Sequence, residues 1–302
     1  MRTTNVVTAT ETPGPARHIG RAKGDTAFGC PREFLGNRFV YVVVSPRARG
    51  LSIGVNMNPD KRCNFDCGYC EVNRTMLPHD SSLDLDVMAA ELQQSLALAH
   101  SNTLRDLPCY RTTPAELLVL RHVALSGDGE PTLCPNFVGA LQTVIHVRAL
   151  GRFPFFKLVL ITNATGLHLP EIQDGLSFFT RDDEIWAKLD GGTQAYLDKV
   201  NHPDCPLDKI LANILLVGRQ RPVVIQSLFP LLNGQAPPAG EIEQYAQRLR
   251  ELRNEGAQIP LVQIYSATRP TPHSECGHLP LSALSRIAQR VREVSGIKAE
   301  VF

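Results

Sequence analysis

The feature that most restricts what this chain can fold into is a rhythm of short apolar runs, each followed by a stretch with helical periodicity. The runs lie at 39–44, 51–55, 122–125, 158–162, 185–189, 223–228 and 261–265. Most are continuous rather than alternating, which is what strands covered on both faces of a parallel sheet require. Between and after them, 81–100, 136–150, 170–179, 207–218, 241–254 and 281–294 read as helices. In the first, Ser81 can cap and Asp84 answers three residues later, while Leu85, Met88, Leu92 and Leu96 form one stripe. In the last, Leu284, Ile287, Ala288, Val291 and Val294 share a face. An alternation repeated about six times predicts a parallel α/β architecture, either an open doubly wound sheet or a complete or partial (β/α) barrel, and both place chemistry at the carboxyl ends of the strands. Two stretches, 101–114 and 233–240, interrupt the rhythm and read as loops from their Pro, Asn and Gly content.

The 302 residues suffice for one large or two ordinary domains. No apolar run reaches the roughly 18 residues needed to cross a bilayer, and the first thirty residues, broken by Glu11, Pro13, Pro15 and Arg17, hold no apolar signal stretch. The expectation is a cytoplasmic protein with no membrane partner. Residues 1–37 read as a basic, partly flexible arm and 38–302 as the core domain, closed by a C-terminal helix. The formal charge of +1 hides an asymmetry of +6 over residues 1–62 and −5 over the rest, which points to a phosphate-bearing partner. Eight cysteines are too dilute for a disulfide scaffold, yet Cys63, Cys67 and Cys70 crowd into eight positions, as metal ligands in a reducing compartment do.

Those three thiols stand at C-x3-C-x2-C spacing in the loop that follows the run 51–55. A closed zinc site wants four ligands, and the chain offers no second C-x2-C or H-x3-H pair; a distant Cys30 or His79 would have to complete it. A cubane iron–sulfur cluster on three thiolates instead leaves one iron open for a chelating substrate or cofactor. The spacing resembles the defining motif of the radical S-adenosylmethionine (radical SAM) superfamily, with Tyr69 at the aromatic position that in the family lies near the adenine. The run 122–125 leads into Ser126-Gly127-Asp128-Gly129-Glu130-Pro131-Thr132, similar to the family's GGEP segment with Asp128 where a glycine usually stands. Glycines there let backbone approach a ligand, and a carboxylate can hold the ammonium of the methionine moiety.

Later strand ends resemble the activating enzyme of pyruvate formate-lyase and the wyosine-base synthases of tRNA: Thr162-Asn163, Lys188-Leu189-Asp190, Val200-Asn201-His202, Gln226, and Tyr265 with Arg269. The resemblance covers about residues 51–270 and implies a partial parallel (β/α)6 TIM-like barrel. It further implies a 4Fe-4S cluster on Cys63, Cys67 and Cys70, the residues of the catalytic centre, and S-adenosylmethionine on the open iron. Tyr69, Gly127, Asp128, Gly129, Glu130, Pro131, Asn163, Lys188, Asp190 and Gln226 would surround that cofactor. Reductive cleavage to a 5′-deoxyadenosyl radical would follow, with flavodoxin or ferredoxin as electron donor. The substrate would be tRNA, which the basic arm favours; a glycyl-radical-type activase acting on a protein or peptide and a non-catalytic zinc-binding module are the alternatives. Wyosine synthases carry an auxiliary cluster on N-terminal cysteines, and only Cys30 lies there, which weighs against that activity. Cys109, Cys134 and Cys205 are isolated and read as small buried hydrophobes, whereas Cys276 with His278 follows the last barrel strand, where loops meet substrate.

Overall fold

The computed structural model describes residues 34–78, 80–268 and 275–302. Residues 1–33, with Cys30 and most of the basic arm, lie outside the described residues, as do His79 and Arg269. The strands are β1 (Val40–Ser45), β2 (Gly50–Asn56), β3 (Leu120–Ser126), β4 (Lys157–Thr162), β5 (Glu184–Lys188), β6 (Val223–Leu228), β7 (Leu231–Leu232), β8 (Val262–Tyr265), β9 (Cys276–Gly277) and β10 (Ala299–Val301). The helices are α1 (Leu85–His100), α2 (Phe137–Ala149), α3 (Pro170–Leu176), α4 (Gln194–Val200), α5 (Leu207–Gly218), α6 (Ala239–Asn254) and α7 (Leu281–Ser295). None of them is long and apolar enough to cross a membrane.

β2, β3, β4, β5, β6 and β8 lie side by side in chain order, all parallel; β10 extends the row beyond β8, and β1 lies antiparallel against β2. Crossovers of one hand in an unreversed strand order put every helix on the same face. The other face then curls inward, so the sheet is a half-barrel and not a doubly wound sheet. Ile53, Leu125, Leu160, Ile185, Ile225 and Ile264 point outward into one core with Met88, Leu92, Val144, Ile214, Leu249 and Val291 of the helices, all fully buried. The inner face is different in kind. Val159, Trp186 and Val224 form a small separate apolar cluster, and polar side chains, Ser52, His122, Gln226 and Gln263, are buried around it.

Some boundaries differ from expectation. The run 39–44 supplies β1, an antiparallel edge strand rather than a barrel strand. Helix α1 begins at Leu85, and its cap is Asp84, not Ser81: the Asp84 carboxylate accepts from the backbone N–H groups of Asp86 and Val87 at 3.1 Å each, which a hydroxyl three residues earlier cannot reach. Residues 101–114 include a short 3-10 turn, Thr103–Asp106, and the last residues of 233–240 already open α6. The seven-residue α4 is unforeseen; Thr193 caps it by accepting from Tyr196 N–H.

Candidate active site

The cysteine loop follows β2, where Asn56 ends the strand and turns its side chain to the next strand's loop. Asn56 Oδ1 accepts from the Asp128 and Asn58 backbones, at 3.0 and 3.2 Å, while its Nδ2 donates to Asp128 Oδ2 at 2.9 Å. Gly127 there has φ of +147°, and a Cβ would meet Asn56 Oδ1 at 2.2 Å. At Gly129 a Cβ would meet the Arg62 carbonyl at 1.9 Å, because the next residue, Glu130, donates its N–H to that carbonyl at 2.9 Å. The two glycines thus allow the segment 127–131 to lie flush on the cysteine loop.

Two more strand-end loops fasten the same loop. After β4, Asn163 Nδ2 donates to Asn64 Oδ1 at 2.8 Å, and Asn64 Nδ2 donates to Thr165 Oγ1 at 3.0 Å. At the C-terminal end of α4, within the connection that follows β5, the carbonyls of Val200 and Asn201 accept from Gly68 and Asp66 N–H at 2.9 and 3.0 Å. Donors also reach the sulfurs: Phe65 N–H lies 3.4 Å from Cys63 Sγ, Asn201 Nδ2 3.2 Å from Cys67 Sγ, and Arg74 Nη2 4.0 Å from Cys70 Sγ. Burial raises the Cys63 thiol and pushes Cys67 up to about 12. Burial works against the Arg74 charge, yet its contacts with Cys63 and Cys70 raise it.

Behind Cys67 lies a buried polar network. Tyr69 donates its hydroxyl to Asp190 Oδ2, and Asn201 Nδ2 reaches both that oxygen, at 2.8 Å, and the Tyr69 hydroxyl, at 2.9 Å. Asp190 Oδ1 accepts from Leu228 N–H at 2.8 Å and faces Lys188 Nζ at 3.5 Å. Lys188 in turn donates to the Tyr265 hydroxyl at 3.1 Å and lies over the Tyr69 ring, 4.9 Å from its centroid. Burial opposes the Lys188 charge, but Asp190 and Tyr265 raise its pKa; burial and Asp190 together raise Tyr69 well above the usual phenol.

The strand-end geometry brings together Cys63, Cys67, Cys70, Tyr69, segment 127–131, Asn163, Lys188 and Asp190. Glu130 is fully buried and its oxygens accept from Thr132 N–H and hydroxyl, the Thr162 hydroxyl and Asn163 N–H, so it clamps the ends of β3 and β4 together. Pro131 opens the short 3-10 helix Pro131–Leu133. Gln226 points into the half-barrel and donates to Gln263 Oε1 at 2.8 Å. Cys276 reaches the cysteine loop from behind: a Cβ on Gly68 would stand 3.0 Å from its sulfur. His278 bonds the Ala267 carbonyl at 3.1 Å, and Cys109, Cys134 and Cys205 stay apart as free thiols. Asn56, Asn64, Arg74 and Asn201 are site residues that residue type alone does not reveal; Asn64 was signalled only by lying inside the C-x3-C spacing, and Asn201 only by its segment.

The donor set suits a thiolate-bound cluster: three free thiols on one loop with N–H groups directed at their sulfurs. Among the described residues no three His, Cys, Asp or Glu side chains are grouped as ligands of a single ion. Asn58 Oδ1 and Asn201 Oδ1 are buried with no partner, acceptors suited to the ammonium or hydroxyl groups of a bound cofactor.

No family model matches the chain. A UPF0026 protein of Helicobacter pylori is 26% identical over 240 residues, covering 77% of this chain and 67% of the relative. SuiB of Streptococcus suis, solved with S-adenosylmethionine bound, superposes with a TM-score of 0.58 at 12% identity, over 81% of this chain and 49% of its own. A radical SAM methyltransferase from Sphaerobacter thermophilus gives 0.58 at 17% identity, over 87% and 68%. TYW1 with a lysine–pyruvate adduct gives 0.56 at 14% identity, over 88% and 86%. The chain therefore spans about two thirds of that relative and about half of SuiB, and its fold is that of radical SAM enzymes.

Proposed function

We propose that this protein is a radical SAM enzyme in which Cys63, Cys67 and Cys70 hold a 4Fe-4S cluster and S-adenosylmethionine occupies the open iron. The observation that carries the reading is the docking of three strand-end loops onto one three-thiol loop, within a fold shared with a neighbour solved with S-adenosylmethionine. When bound, the cluster and S-adenosylmethionine together supply a 5′-deoxyadenosyl radical that takes hydrogen from the substrate.

The chain's own part is placement and exclusion of water. Asn201 orients Cys67 and leaves Oδ1 free to accept; Tyr69 is fixed by Asp190, so that its ring forms one wall. Lys188 offers a held positive charge for a carboxylate, and Asp190 an acceptor for a ribose hydroxyl. Glu130 is a positioning residue whose four donors set segment 127–131, and Gln226 lines the chamber beneath. Flavodoxin or ferredoxin is the expected donor.

The substrate reading is tRNA, supported by the charge of +6 over residues 1–62. Residues 1–33 carry +2 of that charge and 34–62 carry +4, where Arg38 pairs with Asp80, Arg49 with Glu300, and Lys61 donates to the Asn73 and Met76 carbonyls. Deleting residues 1–38 is expected to abolish salt-sensitive tRNA binding; binding unchanged by the deletion and by salt would favour a protein or peptide substrate.

The chemistry is tested anaerobically. Reconstituted protein receives dithionite and S-adenosylmethionine, and 5′-deoxyadenosine is quantified against the Cys63→Ala/Cys67→Ala/Cys70→Ala variant. Product from the wild type alone supports the reading; equal product from both contradicts it.

A further inference from the structure

One cation inside the half-barrel is left over by the network above. Arg47, in the turn between β1 and β2, sends its guanidinium inward to lie 4.3 Å from the centroid of the Tyr265 ring. It is close enough to the buried His122 on β3 to help lower that imidazole, whose own burial is the larger cause. Its Nε is buried and meets no hydrogen-bond acceptor, and among the described residues no carboxylate pairs with it. Other cations among the described residues differ: Arg148 holds Asp183, Lys157 holds Glu184 and Lys188 faces Asp190, while Arg74 and Arg221, whose Nε atoms are likewise buried without an acceptor, donate through their other nitrogens to the carbonyls of Lys61 and of Leu176, Thr180 and Asp183. Lys188 lies over the same Tyr265 ring, 5.5 Å from its centroid, and the amides of Gln226 and Gln263 lie on the same inner face. A partly buried guanidinium with its fork unfilled, near a second cation and neutral hydrogen-bonding groups, is a receptor for an oxyanion.

We propose that Arg47 anchors an oxyanion, a carboxylate or phosphate, carried by the substrate, seating it inside the half-barrel over Tyr265. The assignment rests on the radical SAM reading only in taking the half-barrel as the substrate chamber. Planar two-pronged contact with Arg47 would set the orientation in which the reacting carbon is presented, and the aromatic face keeps the guanidinium aimed when the chamber is empty.

The test needs no turnover. Thermal unfolding of the full-length reconstituted protein is followed while inorganic phosphate or, separately, acetate is titrated at constant ionic strength, for the wild type, Arg47→Met, Arg47→Lys and the neighbouring Arg49→Gln. Saturable stabilisation of the wild type and Arg49→Gln is expected, with affinity weakened about tenfold or more in Arg47→Met and partly retained in Arg47→Lys. A response to phosphate alone assigns a phosphate-bearing substrate, and to acetate alone a carboxylate. In anion-free buffer Arg47→Met should unfold at or above the wild-type temperature, since it deletes an unpartnered charge; a merely structural stacking role predicts a lower one. Titrations identical in wild type and Arg47→Met, or no response to either anion, overturn the proposal. These titrations do not depend on 5′-deoxyadenosine formation, so a failure of the radical reading would leave them as they are.

Discussion

Two buried ion pairs bracket β5, and they are built differently. At its entrance Arg148 grips Asp183 with bonds of 2.8 and 3.3 Å, and Asp183 also accepts from Leu158 N–H, Thr180 N–H and the Thr180 hydroxyl. Burial works against ionisation of Asp183, yet Arg148 and the backbone donors hold its carboxyl below the usual range. At the exit Lys188 stands 3.5 Å from Asp190, and that carboxylate is shared with Tyr69, Asn201 and Leu228 N–H, one step from the Cys67 sulfur. The first pair is a closed lock between α2, β4 and β5. The second is an open network whose groups still face the chamber. One strand thus carries a closed terminus and an open one, and in parallel α/β folds function gathers at carboxyl ends.

The comparison breaks most visibly through stability. Asp183→Asn leaves Arg148 buried without its counter-charge and is expected to cost about 3–5 kcal/mol in urea unfolding at neutral pH, whereas Lys188→Met, which leaves Asp190 three donors, should cost about 1–2 kcal/mol. Because the folded pKa of Asp183 is depressed, its contribution is present above the unfolded carboxyl value and fades as pH falls through the folded one, so the Asp183→Asn deficit should shrink in acid. Equal losses at both ends of β5 would sink the contrast.

Gly129→Ala probes the exit end by crowding. Its Cβ would overlap the Arg62 carbonyl, so a loss of about 1–3 kcal/mol together with reduced iron incorporation is expected from unfolding and metal analysis. His122, at the closed end, is buried and hydrogen-bonded to Ser52 at 2.9 Å, with burial taking its pKa down to about 3. The unfolded chain binds a proton there that the native one refuses, so stability should fall by about 1.4 kcal/mol per pH unit below about 6.5, and His122→Gln should flatten that slope. The smallest effect expected is at Asn201→Ala: about tenfold weaker iron retention against a chelator, with a loss of about 1 kcal/mol in unfolding from the donor taken from Asp190 and Tyr69.

Much of this architecture can be read from the sequence, because continuous apolar runs and helical stripes report burial locally. The runs at 122–125 and 158–162 fall within β3 and β4, and 223–228 coincides with β6. What local pattern misses is short or distant. The three residues of β10 and the seven of α4 carry too little periodicity to register, and the choice of Asp84 over Ser81 as cap depends on where the chain turns. At the candidate site, spacing alone singles out Cys63, Cys67 and Cys70. Asn201 lies 134 positions from the sulfur it touches, and Arg47 meets Tyr265 only because the sheet curls, so neither contact exists in any local window.

The central claim, that three thiols on the loop after β2 hold a cluster with an iron open to S-adenosylmethionine, is tested most directly by electron paramagnetic resonance. The reconstituted, dithionite-reduced protein is measured with and without S-adenosylmethionine. The account predicts a reduced 4Fe-4S signal that S-adenosylmethionine perturbs, absent from the triple cysteine variant. One zinc per chain and no cluster signal, or a signal indifferent to S-adenosylmethionine, would contradict it.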